Sequence, residues 1–389
     1  MINYKNFYVQ NYVLYLTTSL FFVLYIFKQT LSFGTMQSEF NITLFLVSSF
    51  SIVVNFFMHD LIGSFTRIKK YTLLIYISIL IMLLLFENIL RASEFLFKVV
   101  YIMHLVFIFI KYKNSKMFIF MADVILILVL FVITLAQLGI MESLDTSNNL
   151  WTKNFGGFNN PNTAPYFLFS ILATYFIFGS LKRYYLALAI TLILFLFFNI
   201  YSRTFFYGSV LLTILQLLFL NRYFLTLFSK YSRNIYLFIS ISAVSFLILV
   251  LFIPQYLEFL MNSSINNLLS NRLDQILSGL YIADSNTMSN INFIAFDNIY
   301  YELLFIFGPF VFWYYCVNFL KIWEYVAHNR NTNSFLFRLC AVAILMSVLG
   351  LFEGGFTKVS PLTMLLFIFI FIDHNNFKDL DFSLKRVTI

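Results

Sequence analysis

The sequence predicts an all-α fold, a polytopic membrane helical bundle of about twelve transmembrane helices forming one domain over residues 1–389. Three observations predict it. The chain is 61% hydrophobic and only 11% charged, with a mean hydropathy of +0.86, whereas a soluble domain is about half apolar and a quarter charged. Its apolar runs outlast buried strands and carry no alternation, which favours helices over a β-barrel. Lysine and arginine collect between alternate runs, as they do in multi-pass proteins.

The predicted spans are approximately 9–27, 41–59, 71–88, 95–111, 117–139, 164–180, 184–200, 204–220, 235–253, 299–320, 336–353 and 359–372. The start, Met1–Tyr12, is polar and aromatic with no small-residue cleavage site, so the first run reads as a retained helix. One face of the predicted topology holds Lys5, Arg67, Lys69, Lys70, Lys111, Lys113, Lys116, Lys182, Arg183, Arg222, Lys230, Arg233, Lys321, Arg330, Lys378, Lys385 and Arg386. The other holds only Lys28, Arg91, Lys153, Arg203, Arg272 and Lys358, while Lys98 and Arg338 fall inside spans. The richer face is expected to be cytoplasmic, with both termini inside and residues 373–389 as a cytoplasmic tail. The net charge of +8 is mostly this topology signal, and no nucleic-acid patch stands out in it.

Along the chain, Glu87, Arg91 and Glu94 form a charged outer turn expected to be solvated. His104 lies mid-span and Asp123 near the inner third of its span. Both fit satisfied structural residues, and Asp123, an intramembrane acid, also fits a relay group. The outer face carries the two long connections, Ile140–Asn162 and Pro254–Asn298. Long loops in a compact protein usually bind or catalyse, so the working surface is expected there. The loop Asn154–Asn162 reads NFGGFNNPN and leads into a span opened by Pro165. It fits a helix-start turn, and Asn160 and Asn162 also suit hydrogen bonds to sugar hydroxyls.

Arg203 is the only ionised side chain from Tyr184 to Leu220. Each flanking run crosses about 25 Å, slightly less than the hydrocarbon core, so the hairpin between them is tight. A charge at that depth is by default a functional-site hypothesis. Ile265–Leu280 reads INNLLSNRLDQILSGL, with leucine and isoleucine at helical spacing, and is expected to be an amphipathic helix on the outer surface. Arg272 projects from its apolar face and Asp274 from the opposite one. Arg272 fits either snorkelling to lipid phosphates or reaching a cavity that holds an anion. Two guanidiniums on one rim suit a lipid-linked pyrophosphate, because they stay charged when desolvated and offer paired donors.

Asp297 precedes a span beginning Ile299–Tyr300–Tyr301–Glu302. Asp297 fits a helix N-cap or a base that takes a proton from a sugar hydroxyl, and Glu302 fits the favoured acidic first turn or the same base. Gly308–Pro309 is expected to kink this helix. Glu353 and Lys358 flank Gly354–Gly355 at the last outer turn. They fit a surface pair, or Glu353 fits a counter-charge to an arginine. The four histidines lack ligand spacing and Cys316 and Cys340 fall inside apolar runs, so no metal, cofactor or disulfide framework is expected. The 53 Phe and 25 Tyr fit lipid-facing and packing surface, or a lining for sugar rings or a polyprenyl chain.

Taken in order, Gly157–Phe158–Asn159–Asn160–Pro161–Asn162, Ser202–Arg203–Thr204, Ser270–Asn271–Arg272 and Asp297–Asn298–Ile299–Tyr300 with Gly308 resemble the Wzy-like O-antigen and capsule repeat-unit polymerases, relatives of the O-antigen ligases. The resemblance covers about residues 120–360. It implies a metal-independent GT-C-like glycosyltransferase of the bacterial cytoplasmic membrane that uses no nucleotide sugar. Such an enzyme joins undecaprenyl-pyrophosphate-linked oligosaccharide donor and acceptor on the outer face, beside a flippase and a chain-length regulator. Carried onto this chain, Arg203 and Arg272 hold the departing pyrophosphate and Asp297 is the base, where many members carry histidine. Asn160, Asn162, Tyr300, Glu302, Glu353 and Lys358 would line the substrate site. A lipid-linked oligosaccharide flippase or other transporter, and a ligase-type transferase, are the alternatives. Transporters favour midplane sites between repeats, whereas the isolated charges here crowd the outer rim.

Overall fold

The computed structural model describes residues 4–33, 36–59, 77–81, 89–143, 145–148, 151–154, 156–160, 162–179, 185–198, 203–218, 222–252, 303, 307–329, 334–349, 358–371 and 377–380. The helices are α1 Tyr4–Lys28, α2 Gln37–Met58, α3 Ile89–Tyr112, α4 Ser115–Gln137, α5 Thr163–Phe178, α6 Tyr185–Phe198, α7 Arg203–Leu218, α8 Arg222–Phe252, α9 Pro309–Asn329 and α10 Phe335–Leu349. The last, α11, runs Pro361–Phe371 with an interruption at Phe367. A two-stranded antiparallel hairpin, β1 Asp145–Asn148 and β2 Trp151–Asn154, departs from the all-α expectation inside the first long connection.

Among the described residues, three helices are long and apolar enough to cross a membrane, namely Asn11–Lys28, Ser38–Met58 and Ser115–Gln137. Shorter apolar helices are Thr163–Phe178, Thr204–Leu218, Phe335–Leu349 and Pro361–Phe371. The chain is thus helical with membrane-type helices.

The core forms around α5. Its sequence, TAPYFLFSILATYFIF, is apolar on every side, and all sixteen residues are buried. A helix hydrophobic all round must be covered all round, and α5 packs against α4, α6, α7, α10 and α11. Gly208 on α7 permits a close approach here, since an added Cβ would lie 2.6 Å from Leu349 Cδ1 and 3.1 Å from Phe169 Cε2. Small residues at such crossings let membrane helices meet closely. Aromatic rings fill much of the interior, as in the 5.3 Å stack of Phe178 on Phe335 and the edge contact of Phe109 with Phe118 at 5.0 Å. The packing role read for the phenylalanines is therefore seen. Apolar side chains also face outward: Phe57 and Phe50 on α2, Ile127 on α4 and Phe238 on α8 are exposed. An exterior of this kind suits lipid.

Helix ends sort into two groups. At the basal end, Lys111 Nζ and the Tyr112 hydroxyl donate to His59 O at 2.7 and 3.0 Å, tying the end of α3 to the end of α2. Arg338, predicted within a span, is buried at this end. Its Nη1 donates to Phe176 O at 2.8 Å and its guanidinium lies 5.4 Å from the Phe176 ring, so it caps the last turn of α5. Asp123 is exposed and accepts a hydrogen bond from the Tyr175 hydroxyl, which fits the structural role.

Several boundaries differ from expectation. Helix α8 starts at Arg222, so Arg222, Lys230 and Arg233 lie on a helix and not in a loop. Pro309 opens α9, and the segment before Gly308, where the kinked helix was expected, lies outside the described residues except for the helical Leu303. Gly308 has φ +93°, outside helical geometry, and Pro309 suits a first helical position because its missing N–H has no partner there.

Candidate functional site

The opposite end, here the rim, is built on the loop after β2. Leu31 N donates to Gly157 O at 3.0 Å and Asn159 N to Gln29 O at 2.9 Å, an isolated antiparallel bridge between Thr30 and Phe158. The Phe158 side chain is fully buried beneath it. Gly157 has φ +83°, and a Cβ there would sit 3.1 Å from Ala136 Cβ and 3.2 Å from Val132 Cγ1. Only glycine meets both constraints without strain.

Asn160 and Asn162 follow directly. Asn160 Oδ1 accepts from Asn162 N at 2.8 Å, Asn160 O accepts from Thr163 N at 3.1 Å, and Asn162 O accepts from Tyr166 N at 3.0 Å. This is the helix-start turn of the sequence reading. Asn160 nonetheless remains exposed and Asn162 half-buried.

Tyr166, one turn into α5, was missed by sequence reasoning and organises the rim. It is buried, and its hydroxyl bonds Ser360 Oγ at 2.9 Å and Thr363 Oγ1 at 2.5 Å. Lys358 Nζ lies 4.9 Å from the Tyr166 ring centroid, a cation–π distance. The Lys358 segment is pinned from two more sides, by Val359 N donating to the Tyr25 hydroxyl at 3.0 Å and Leu362 N to Ser170 Oγ at 3.2 Å. Ser360 caps α11 by accepting from Thr363 N at 3.1 Å, with Pro361 in the first helical position. The Ser-Pro pair was the available signal for this start. Its link to Tyr166, some two hundred residues away, had none.

Phe205 completes the arrangement, packing 5.5 Å from the Tyr166 ring and 5.9 Å from the Phe169 ring. It stands two residues into α7, whose first residue is Arg203. The structure thus brings Asn160, Asn162, Lys358 and the start of the Arg203 helix to one end, joined through Tyr166. Of Arg203 the structure describes the backbone alone. A cation in a first helical turn opposes the helix dipole, so helix stability does not explain it. Lys28, buried in the last turn of α1 beside the Gln29–Asn159 bond, is a further rim cation that the sequence did not single out. Arg272, Asp297, Tyr300, Glu302, Glu353 and the predicted amphipathic helix lie outside the described residues.

No family model, curated protein or solved structure matches this chain.

Replacing Tyr166 with phenylalanine keeps the ring under Lys358 and removes the hydroxyl. It is expected to lower stability by about 1 kcal/mol. Tyr166→Leu also removes the ring and is expected to lower it by several kcal/mol. Thermal unfolding of the detergent-purified chain measures both.

Proposed function

We propose that this protein polymerises undecaprenyl-pyrophosphate-linked oligosaccharide repeat units into a surface polysaccharide, at the outer face of the bacterial cytoplasmic membrane. In this reading about twelve spans carry the chain across, both termini are cytoplasmic, and the rim end faces outward. The observation that supports it most is the meeting of Lys358, the Asn160–Asn162 turn and the first turn of α7 around Tyr166, at an apolar bundle's end. Cations at that level suit a pyrophosphate whose polyprenyl chain stays in lipid.

Arg203 and Arg272 would bind the donor's pyrophosphate and stabilise its charge as the anomeric C–O bond breaks. The acceptor's terminal hydroxyl would attack the anomeric carbon and lose its proton to Asp297. Asn160, Asn162, Tyr300, Glu302, Glu353 and Lys358 would orient the sugars, and no metal or nucleotide is used.

The test is the lipid-linked oligosaccharide pool of a strain lacking the protein. Single repeat units are expected to accumulate on the outer leaflet. Retention on the inner leaflet would instead make the protein a flippase. Finished polymer that stays on its lipid would make it a ligase-type transferase.

A further inference from the structure

The basal end holds a cavity of 660 Å³ between α8, α9 and the short 3-10 turn Phe377–Leu380. Lys230 and Arg233 reach it from α8, Lys321 and Glu324 from α9, and Lys378 from the turn. Four cations therefore face one carboxylate, with His328 at the edge. Trp323 lines the same cavity, buried and held edge-on by Phe228 at 5.7 Å and against Phe337 at 5.7 Å. Lys378 Nζ lies 5.8 Å from the Tyr325 ring centroid. Four exposed cations around one concavity attract an anion to it.

The depth of the cavity identifies that anion's surroundings. The stretch Arg233–Phe252 of α8 spans about 28 Å, close to the thickness of the hydrocarbon core. Arg233 and Lys230 then fall at the headgroup level. An apolar stripe of exposed side chains, Tyr231, Ile235, Phe238 and Ile241, runs along the outward face of the same helix, about a quarter turn round from Lys230. A cationic hollow at one end and a greasy track beside it match a phosphate on a diacyl chain. Basic pockets between membrane helices hold acidic phospholipids in this way.

We propose that this cavity binds the phosphodiester headgroup of an anionic membrane phospholipid, with its acyl chains along the exposed stripe of α8. The inference is independent of the chemistry at the rim.

Native mass spectrometry of the full chain, released from micelles into the gas phase, tests it. The probes are dioleoyl phosphatidylglycerol, dioleoyl phosphatidylcholine and free glycerol phosphate. One phosphatidylglycerol is expected to stay bound in preference to phosphatidylcholine. Each removed cation should weaken it about fivefold, so Arg233→Gln with Lys321→Gln should weaken it roughly twenty-five-fold. Lys113→Gln with Lys116→Gln removes equal charge at the same end, outside the cavity, and should leave binding unchanged. Arg233→Lys with Lys321→Arg keeps the charge and should retain the lipid. Equal retention of the two lipids, or equal loss in both glutamine pairs, would overturn the proposal. So would glycerol phosphate binding alone as tightly as the lipid, which would make this a site for a soluble phosphate ester.

Discussion

Under the proposed polymerase activity, Arg203→Lys is expected to cut polymer formation roughly 10²-fold while leaving the amount of protein in the membrane unchanged. The change keeps the positive charge and removes the planar fork that donates two parallel hydrogen bonds to phosphate oxygens. Arg203 opens α7, and Phe205 anchors that turn against Tyr166 and Phe169, so the backbone carrying the substituted side chain stays fixed. The loss should appear in turnover, since charge stabilised only as the pyrophosphate departs adds little to binding beforehand. Arg272→Ala is expected to act in the same direction. Polymer length on a gel, with protein quantified from the same membranes, measures both. Normal chain length in both variants would sink the polymerase mechanism.

Gly157→Ala is expected to lose about 2–5 kcal/mol of stability and most of the proposed polymerase activity. The left-handed backbone at φ +83° adds roughly 1–2 kcal/mol for any residue with a Cβ. The new methyl also presses on Ala136 and Val132, at distances of 3.1 and 3.2 Å, and overpacking typically adds about 1–3 kcal/mol. Relief requires moving the loop that bonds Gln29 and Leu31 and leads into the Asn160 turn. Thermal unfolding and polymer assays on purified protein check the two parts. Gly139→Ala is a suitable control for a second left-handed glycine, because a Cβ there meets nothing within 4 Å.

Much of the helical layout was legible because apolar runs and basic junctions both mark membrane helices. The α2 and α4 helices fall within a few residues of their predicted limits. The hairpin limits at Phe198 and Arg203 also match closely, since a lone charge between two apolar runs leaves few alternatives. The start of α8 was misread because Lys230 and Arg233 look like loop residues when hydropathy alone decides. A helix that continues past the hydrocarbon looks the same in composition as a loop. At the rim, Asn160, Asn162 and Lys358 could be nominated from turn chemistry and isolated charge. Tyr166 could not, since a tyrosine among phenylalanines carries no local mark. Its importance comes from Ser360 and Thr363, which only the folded chain brings to it.

The burial of α5 on every side has a consequence for biogenesis. Its covering includes α11, made almost two hundred residues later by the ribosome. Until that last apolar segment is inserted, the Tyr166 hydroxyl lacks Ser360 and Thr363 and the Lys358 strap is absent. A polypeptide interrupted before residue 358 therefore leaves this side of α5 without its α11 cover, so the interior around Tyr166 closes only once the chain is made through Thr363.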